Sequence, residues 1–214
     1  MLYGYAIYYD LAADDEQKKI FAQDVDRLMT HLLEHNCCIV DVDGEVTLWG
    51  HVGIDPDPAR EAYYEKQFAR YRRFGFTTVS AMPLRQSLML LPDLLIAHHI
   101  TGKQHYLDFY NKVVEHFRNN PDRLRRPGEM TPERLARINH STEGQNYEAL
   151  YNLIRYEQNP ELLKIYRGWV QELWERNWME GNSLFTYMSL VLLPAYLAPT
   201  DPGTPRALPE NVEH

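Results

Sequence analysis

Cysteine is almost missing from this chain, and the two it has, Cys37 and Cys38, are neighbours. Adjacent thiols build no disulfide framework and match no zinc-ligand spacing, so they leave the redox compartment open. Long apolar runs are also missing. Nothing approaches the roughly 18 consecutive apolar residues of a membrane-spanning helix, so no membrane partner is expected. Positive charge is in deficit, with 22 Lys and Arg against 30 Asp and Glu and a formal net charge of −8. A surface of that sign repels phosphate backbones, which argues against nucleic acid as a partner. The short cluster Arg123, Arg125 and Arg126 is the local exception and reads as solvated surface. The opening MLYGYAIYYDLAADD has no basic leader and meets Asp10 early, so it reads as the interior of a domain rather than a signal peptide. There is no G-x-S-x-G elbow, Walker loop or dinucleotide fingerprint. Serine-triad hydrolysis, nucleotide-driven work and hydride transfer therefore lack their usual signals, and no cofactor is implied.

What is present is apolar and aromatic. Of the 214 residues 44% are hydrophobic, with 15 Tyr and 4 Trp, enough for one ordinary domain with a real core. Tyr and Trp join a broad apolar face to a polar tip, which suits both cores and sugar-stacking surfaces.

Helical periodicity dominates the pattern. LYGYAIYYDLA reads as a short buried helix that turns at Asp14-Asp15 into a longer one, whose stripe is Phe21, Val25, Leu28, Met29 and Leu32. Residues 38–49, CIVDVDGEVTLW, break the pattern: alternating β-formers flank Asp43-Gly44, a pair suited to a tight hairpin turn. A loop follows from Gly50 to Pro58, and Glu61–Arg73 is a further helix candidate. MPLRQSLMLLPDLLIAHHI predicts a helix that kinks or restarts at Pro92 and stops at Thr101-Gly102-Lys103. Tyr106, Phe109, Tyr110, Val113 and Phe117 face inward on the next helix. After a polar connection (119–139), Tyr147, Leu150, Tyr151 and Ile154 mark a helix, and Asn159-Pro160 punctuates it. Leu162, Tyr166, Trp169, Val170, Leu173 and Asn177 mark the returning helix. A last helix is expected over Ser183–Leu197, then a Pro-rich tail or linker at 198–214. Successive helical hairpins predict an all-α fold, a solenoid or toroid, in one domain spanning 1–197 with a small β-hairpin inserted.

Three motifs suggest chemistry. HLLEH offers His31 and His35 on one helix face, a zinc-peptidase pattern with Glu34 as base. The same residues lie opposite the apolar stripe near a helix C-terminus, where solvated His is favoured by the dipole. DVDGE lacks the spacing of a calcium loop and reads as a β-turn, from which Asp43 could reach a cleft. In NHSTEG, Thr142 and Gln145 satisfy a capping box, which makes Thr142 the expected N-cap with Glu143 in the first turn. His140 and Glu143 also place an imidazole beside a carboxylate, a plausible acid/base pair next to Tyr147 and Tyr151.

Taken in order, GYAIYYDLAADDEQK, HLLEHN, VDVDGEVTLWGHV, AHHITGKQHY, INHSTE, LIRYEQNPELLKIYRGWVQELWE and NSLFTYMSLVLL resemble bacterial uncharacterised proteins related to six-hairpin, (α/α)6-toroid glycosidases. The resemblance covers most of the chain. It implies an all-α toroid that is incomplete here, because such relatives extend in both directions and a full toroid needs about twelve helices; an open toroid could self-associate. It further implies a carbohydrate ligand held in an acidic, aromatic cleft, with no metal. By position, Asp43, Trp49 and His51 would come from the hairpin, and His140 and Glu143 from INHSTE. Relatives commonly read Asn-His-Ser-Asp followed by an acid; this chain has Thr142 in place of that Asp, so Glu143 is the acid it retains. Glycoside hydrolysis uses two carboxyls, about 5–5.5 Å apart in retaining enzymes and about 6.5–9.5 Å in inverting ones. The expected catalytic set is Glu143, His140 and Asp43, with Trp49, His51, Tyr147 and Tyr151 contacting substrate. The alternatives are a non-catalytic helical scaffold or carbohydrate-binding module, and a zinc metallopeptidase using His31 and His35.

Overall fold

A computed structural model describes residues 2–44, 46–52, 82–119, 140–178 and 181–193. The expected helix at 61–73, the 119–139 connection, the basic cluster and the 198–214 tail lie outside them. The described residues are mostly helical, and the fold is all-α with one small β-hairpin. Two compact units divide the chain, residues 1–135 and 136–214, and each is described by itself.

The first unit opens with α1 (Tyr3–Leu11) and α2 (Asp15–Glu34). A reciprocal capping box starts α2: the Asp14 carboxylate accepts from Gln17 N–H (2.8 Å), and the Gln17 side chain accepts from Asp14 N–H (3.0 Å). That satisfies two donors the helix end would otherwise leave orphaned. Phe21 fastens the two helices, stacking on Tyr8 at 5.3 Å and meeting Tyr5 edge-on at 5.0 Å. Val25, Met29 and Leu32 form the buried stripe of α2, but Leu28 is 47% exposed and falls outside it.

Asn36 and Cys37 both take left-handed backbone conformations, with φ of 54° and 59°. They turn the chain out of α2, and Cys37 N–H closes back on Leu32 O at 2.8 Å. Strand β1 (Cys38–Val40) then pairs antiparallel with β2 (Val46–His51), with a bulge between the Cys38–His51 and Val40–Val46 pairs. The turn between them has Gly44 at φ 84°, its N–H bonded to Asp41 O, which is the conformation glycine permits there. Neither cysteine is in a disulfide, and both are buried.

Helix α3 (Met82–Thr101) packs on α1, α2 and the following α4 (Gln104–Asn119). Every residue from Leu90 to Ala97 is buried, as expected for a helix that is apolar all round. The helix runs on through Pro92, which corrects the expectation of a possible restart there. It ends at Gly102, whose φ of 70° and N–H bond to His98 O make the predicted stop. Tyr106, Tyr110, Val113 and Val114 form the buried face of α4.

The second unit holds α5 (His140–Tyr156), α6 (Pro160–Asn177) and α7 (Ser183–Leu192), each packed on the other two. Asn159 caps α6 by accepting from Glu161 N–H (3.0 Å), with Pro160 in the first turn, as the sequence predicts. Asn182 caps α7 through Leu184 and Phe185 N–H. The expected extent of α7 to Leu197 needs correction. The helix ends at Leu192, and Leu193 is already non-helical (φ −125°, ψ 48°) because the following Pro194 disfavours helix at the residue before it.

A polar network ties α2 to α4. Asp26 accepts from Lys103 Nζ (2.7 Å) and from Tyr106 Oη (2.8 Å), and Thr30 stands 3.4 Å from the same phenol. Lys103 holds the Asp26 carboxyl below its usual range, while burial and then the neighbouring Asp26 push the Tyr106 phenol up to about 12. Because the folded value for Asp26 is depressed, its stabilisation is present above the unfolded value of about 3.9 and is lost as pH falls through the folded one. Asp26→Asn should therefore cost about 1 kcal/mol at neutral pH, and the difference from wild type should shrink as denaturation is repeated towards acid.

Candidate functional site

The second unit holds the residues closest to the expected chemistry. Helix α5 begins at His140, so Thr142 sits inside its first turn and not at the N-cap. This corrects the Thr142–Gln145 capping box: an N-cap residue must itself be non-helical, and here the two residues before Thr142 are helical already. Glu143 is in the first turn, as expected, where the helix dipole favours a carboxylate.

Glu143 is only 4% exposed, and Asn146 Nδ2 approaches its Oε2 at 3.5 Å. A carboxyl rarely goes inside a protein without specific polar company. Tyr147 and Tyr151 follow at successive four-residue steps, so all three share one strip of the helix. Their fates differ. Tyr151 is half-buried and accepts from Arg155 Nη1 at 3.1 Å. Tyr147 is fully buried, stacked on Phe185 at 5.0 Å, and its phenol receives a hydrogen bond from Ser189 Oγ at 3.1 Å. The expected sugar-stacking role of Tyr147 is thereby corrected: its ring is covered and forms part of the α5–α7 core.

Asp43 lies in the exposed turn of the β-hairpin, in the first unit. Trp49 and His51 belong to β2 of the same hairpin, and His140 opens α5; the side chains of these three lie outside the described residues. The hairpin thus gathers Asp43, Trp49 and His51, and α5 gathers His140, Glu143 and Tyr151.

His31 and His35 do share the end of α2, with ring centroids 4.1 Å apart. His35 Nδ1 is 2.7 Å from His31 O. A carbonyl can only accept, so that nitrogen carries the proton and is spent on closing the helix end. Among the described residues no group of three or more His, Cys, Asp or Glu is arranged to hold a metal ion, and no helix is long and apolar enough to cross a membrane.

Sequence reasoning passed over Asp93. It is 3% exposed in the middle of α3, and its Oδ1 accepts from Leu2 N–H at 2.9 Å, capping the start of α1 from another helix. The signal was available as one charge inside the apolar run LLPDLLIA. Burial lifts its carboxyl above the ordinary range, with the charge of the N-terminal amine and then the Leu2 bond pulling the other way. A cavity of about 70 Å³ nearby, walled by Leu28, Met29, Leu32 and Ile39 beside His31 and Asp93, offers an apolar surface. Its walls are apolar and partly open at Leu28 and His31, which suits a hydrophobic contact rather than a polar ligand.

No protein-family model matches the chain, and no curated protein or solved structure matches it either.

Two substitutions test these assignments. As a core residue Tyr147 should lose about 3–5 kcal/mol of stability on replacement by alanine, read by chemical denaturation. A raised folded value for Asp93 means its contribution is full below about 3.9 and is lost as pH rises through the folded value. Asp93→Asn keeps an acceptor for Leu2 N–H, so it should gain on wild type as pH rises above that range. Asp93→Ala, which orphans the donor, should lose about 1–3 kcal/mol.

Proposed function

We propose that the chain is a carbohydrate-active protein, a glycoside hydrolase-like toroid or part of one, that acts on or binds a poly- or oligosaccharide. The observation that carries this reading is the Glu143 carboxyl, buried in the first turn of a helix with amide company and a half-buried tyrosine two turns along. A glycosidase places two carboxyls about the scissile bond, one of which gives a proton to the leaving oxygen. In this proposal Glu143 is the acid/base and His140 orients it, both in the second unit, while Asp43 is the candidate carboxylate of the hairpin in the first unit. Trp49, His51 and Tyr151 contact the sugar. The order of helical hairpins and the resemblance to six-hairpin proteins support the same class.

A second reading, a non-catalytic helical scaffold or carbohydrate-binding module, is favoured by the burial of Tyr147, which removes one expected stacking face. The two separate in one experiment on the folded chain, using plant, algal and host polysaccharides with reducing-end release and direct binding as readouts. Hydrolysis that falls by about a hundredfold or more in Glu143→Gln, with binding retained, supports the enzyme. Binding with no hydrolysis by wild type supports the module. Neither binding nor hydrolysis by folded protein would falsify both.

A further inference from the structure

We propose that Asn177 is a ligand-reading residue at the polar end of the second unit, and that its ligand is a neutral group bearing adjacent hydroxyls. The proposal rests on the carbohydrate reading above and narrows it to a residue and a recognition chemistry.

Asn177 is 1% exposed, and neither its Oδ1 nor its Nδ2 has a hydrogen-bond partner among the described residues. Leaving a buried polar group unmet is destabilising, and here two atoms of one side chain are unmet. Asn177 continues the stripe of Tyr166, Val170 and Leu173, all buried, where a leucine would complete an apolar face. Asn152 is a different case, because its Nδ2 is already spent on Glu148 O.

The position of Asn177 in the unit adds to this. Glu157-Gln158-Asn159 joins α5 to α6, and the two helices pack together, so they form an antiparallel hairpin. Glu143 is in the first turn of α5 and Asn177 is the last residue of α6. Both therefore lie at the end of the hairpin away from that connection. Trp174, also buried, sits one turn before Asn177 on the same helix face.

The chemistry selects the ligand. A carboxamide presents a donor and an acceptor side by side. A cation would satisfy only Oδ1, and an anion only Nδ2. Two neighbouring hydroxyls, each able to donate and accept, satisfy both atoms at once, which is the pattern a sugar ring displays.

The test uses the full chain, with Asn177→Leu and Asn177→Ala, and has two readouts. In denaturant without ligand, Asn177→Leu should unfold at the same or a higher midpoint than wild type, since it removes two unmet groups. A clear fall in midpoint for both variants would mean the amide is structurally bonded, and would overturn the proposal whatever the protein binds. In titrations with a panel of mono- and oligosaccharides, wild type should bind and Asn177→Leu should bind about tenfold or more weakly, as expected for losing a hydrogen-bonded pair. Equal binding by wild type and variant overturns the role of Asn177 and leaves the carbohydrate reading standing. A wild type silent across the panel sinks both, and leaves trapped water as the partner of the amide.

Discussion

The first unit depends on keeping one helix out of water. Helix α3 has no solvent face between Leu90 and Ala97, so it cannot exist as a stable surface helix and must be enclosed by α1, α2 and α4. Each buried leucine or isoleucine there contributes about 1.5–3 kcal/mol relative to exposure. The rest of the unit is arranged around that requirement. The Phe21 cluster holds α1 against α2, and Asp26 draws Lys103 and Tyr106 of the next turn and helix onto α2. The hydrogen bond of His99 Nε2 with Asp10 (2.7 Å) and the reach of Tyr9 Oη towards Ile100 O fasten α1 over the far end of α3. Asp93 is the one polar intrusion in the enclosed stretch, and it works by meeting a backbone donor that α1 would otherwise leave unmet.

The second unit solves a similar problem with less apolar material. Three helices close on Tyr147, Phe185, Val170 and Leu173, and the phenol at the centre is met by Ser189 from α7. An aromatic core of this type fixes the rotation of α5 about its own axis, because only one face carries a hydroxyl that finds Ser189. It also decides which residues remain for chemistry. Once Tyr147 is committed to the core, the polar groups sharing its end of the unit are Glu143 and Asn177, not the tyrosine stripe.

Much of this architecture was legible in the residues. Asp14 with Gln17, Asn159 with Pro160, Asp43 with Gly44, and Gly102 each name a backbone conformation, and each is used as its chemistry dictates. Where the sequence misled, the reason was competition between signals. Thr142 and Gln145 have the spacing of a capping box, but spacing does not say where the helix starts. Leu197 extends the pattern of α7, but Pro194 acts earlier. Leu28 fits the apolar stripe of α2 yet stands exposed, since periodicity gives a face and not the width of what covers it. The candidate site was legible only as types and neighbours along the chain. Burial of Tyr147 depends on α7, thirty-odd residues away, and no local pattern carries that.

Two buried carboxyls remain to be told apart, and their surroundings do it. Asp93 is buried in the apolar stretch of α3, borders an apolar pocket, and spends an oxygen on capping a helix. Burial raises its carboxyl above the ordinary range and its oxygen is committed to Leu2 N–H, so its role is structural. Glu143 sits at the positive end of a helix dipole with an amide one turn away, in a unit that keeps a second amide buried and unmet. A fold that wanted only stability would have placed an apolar residue at position 177, because a half-satisfied polar interior is worse than a fully apolar one. That both positions are polar, at the same end of one helical hairpin, is the strongest reason to look for the function there.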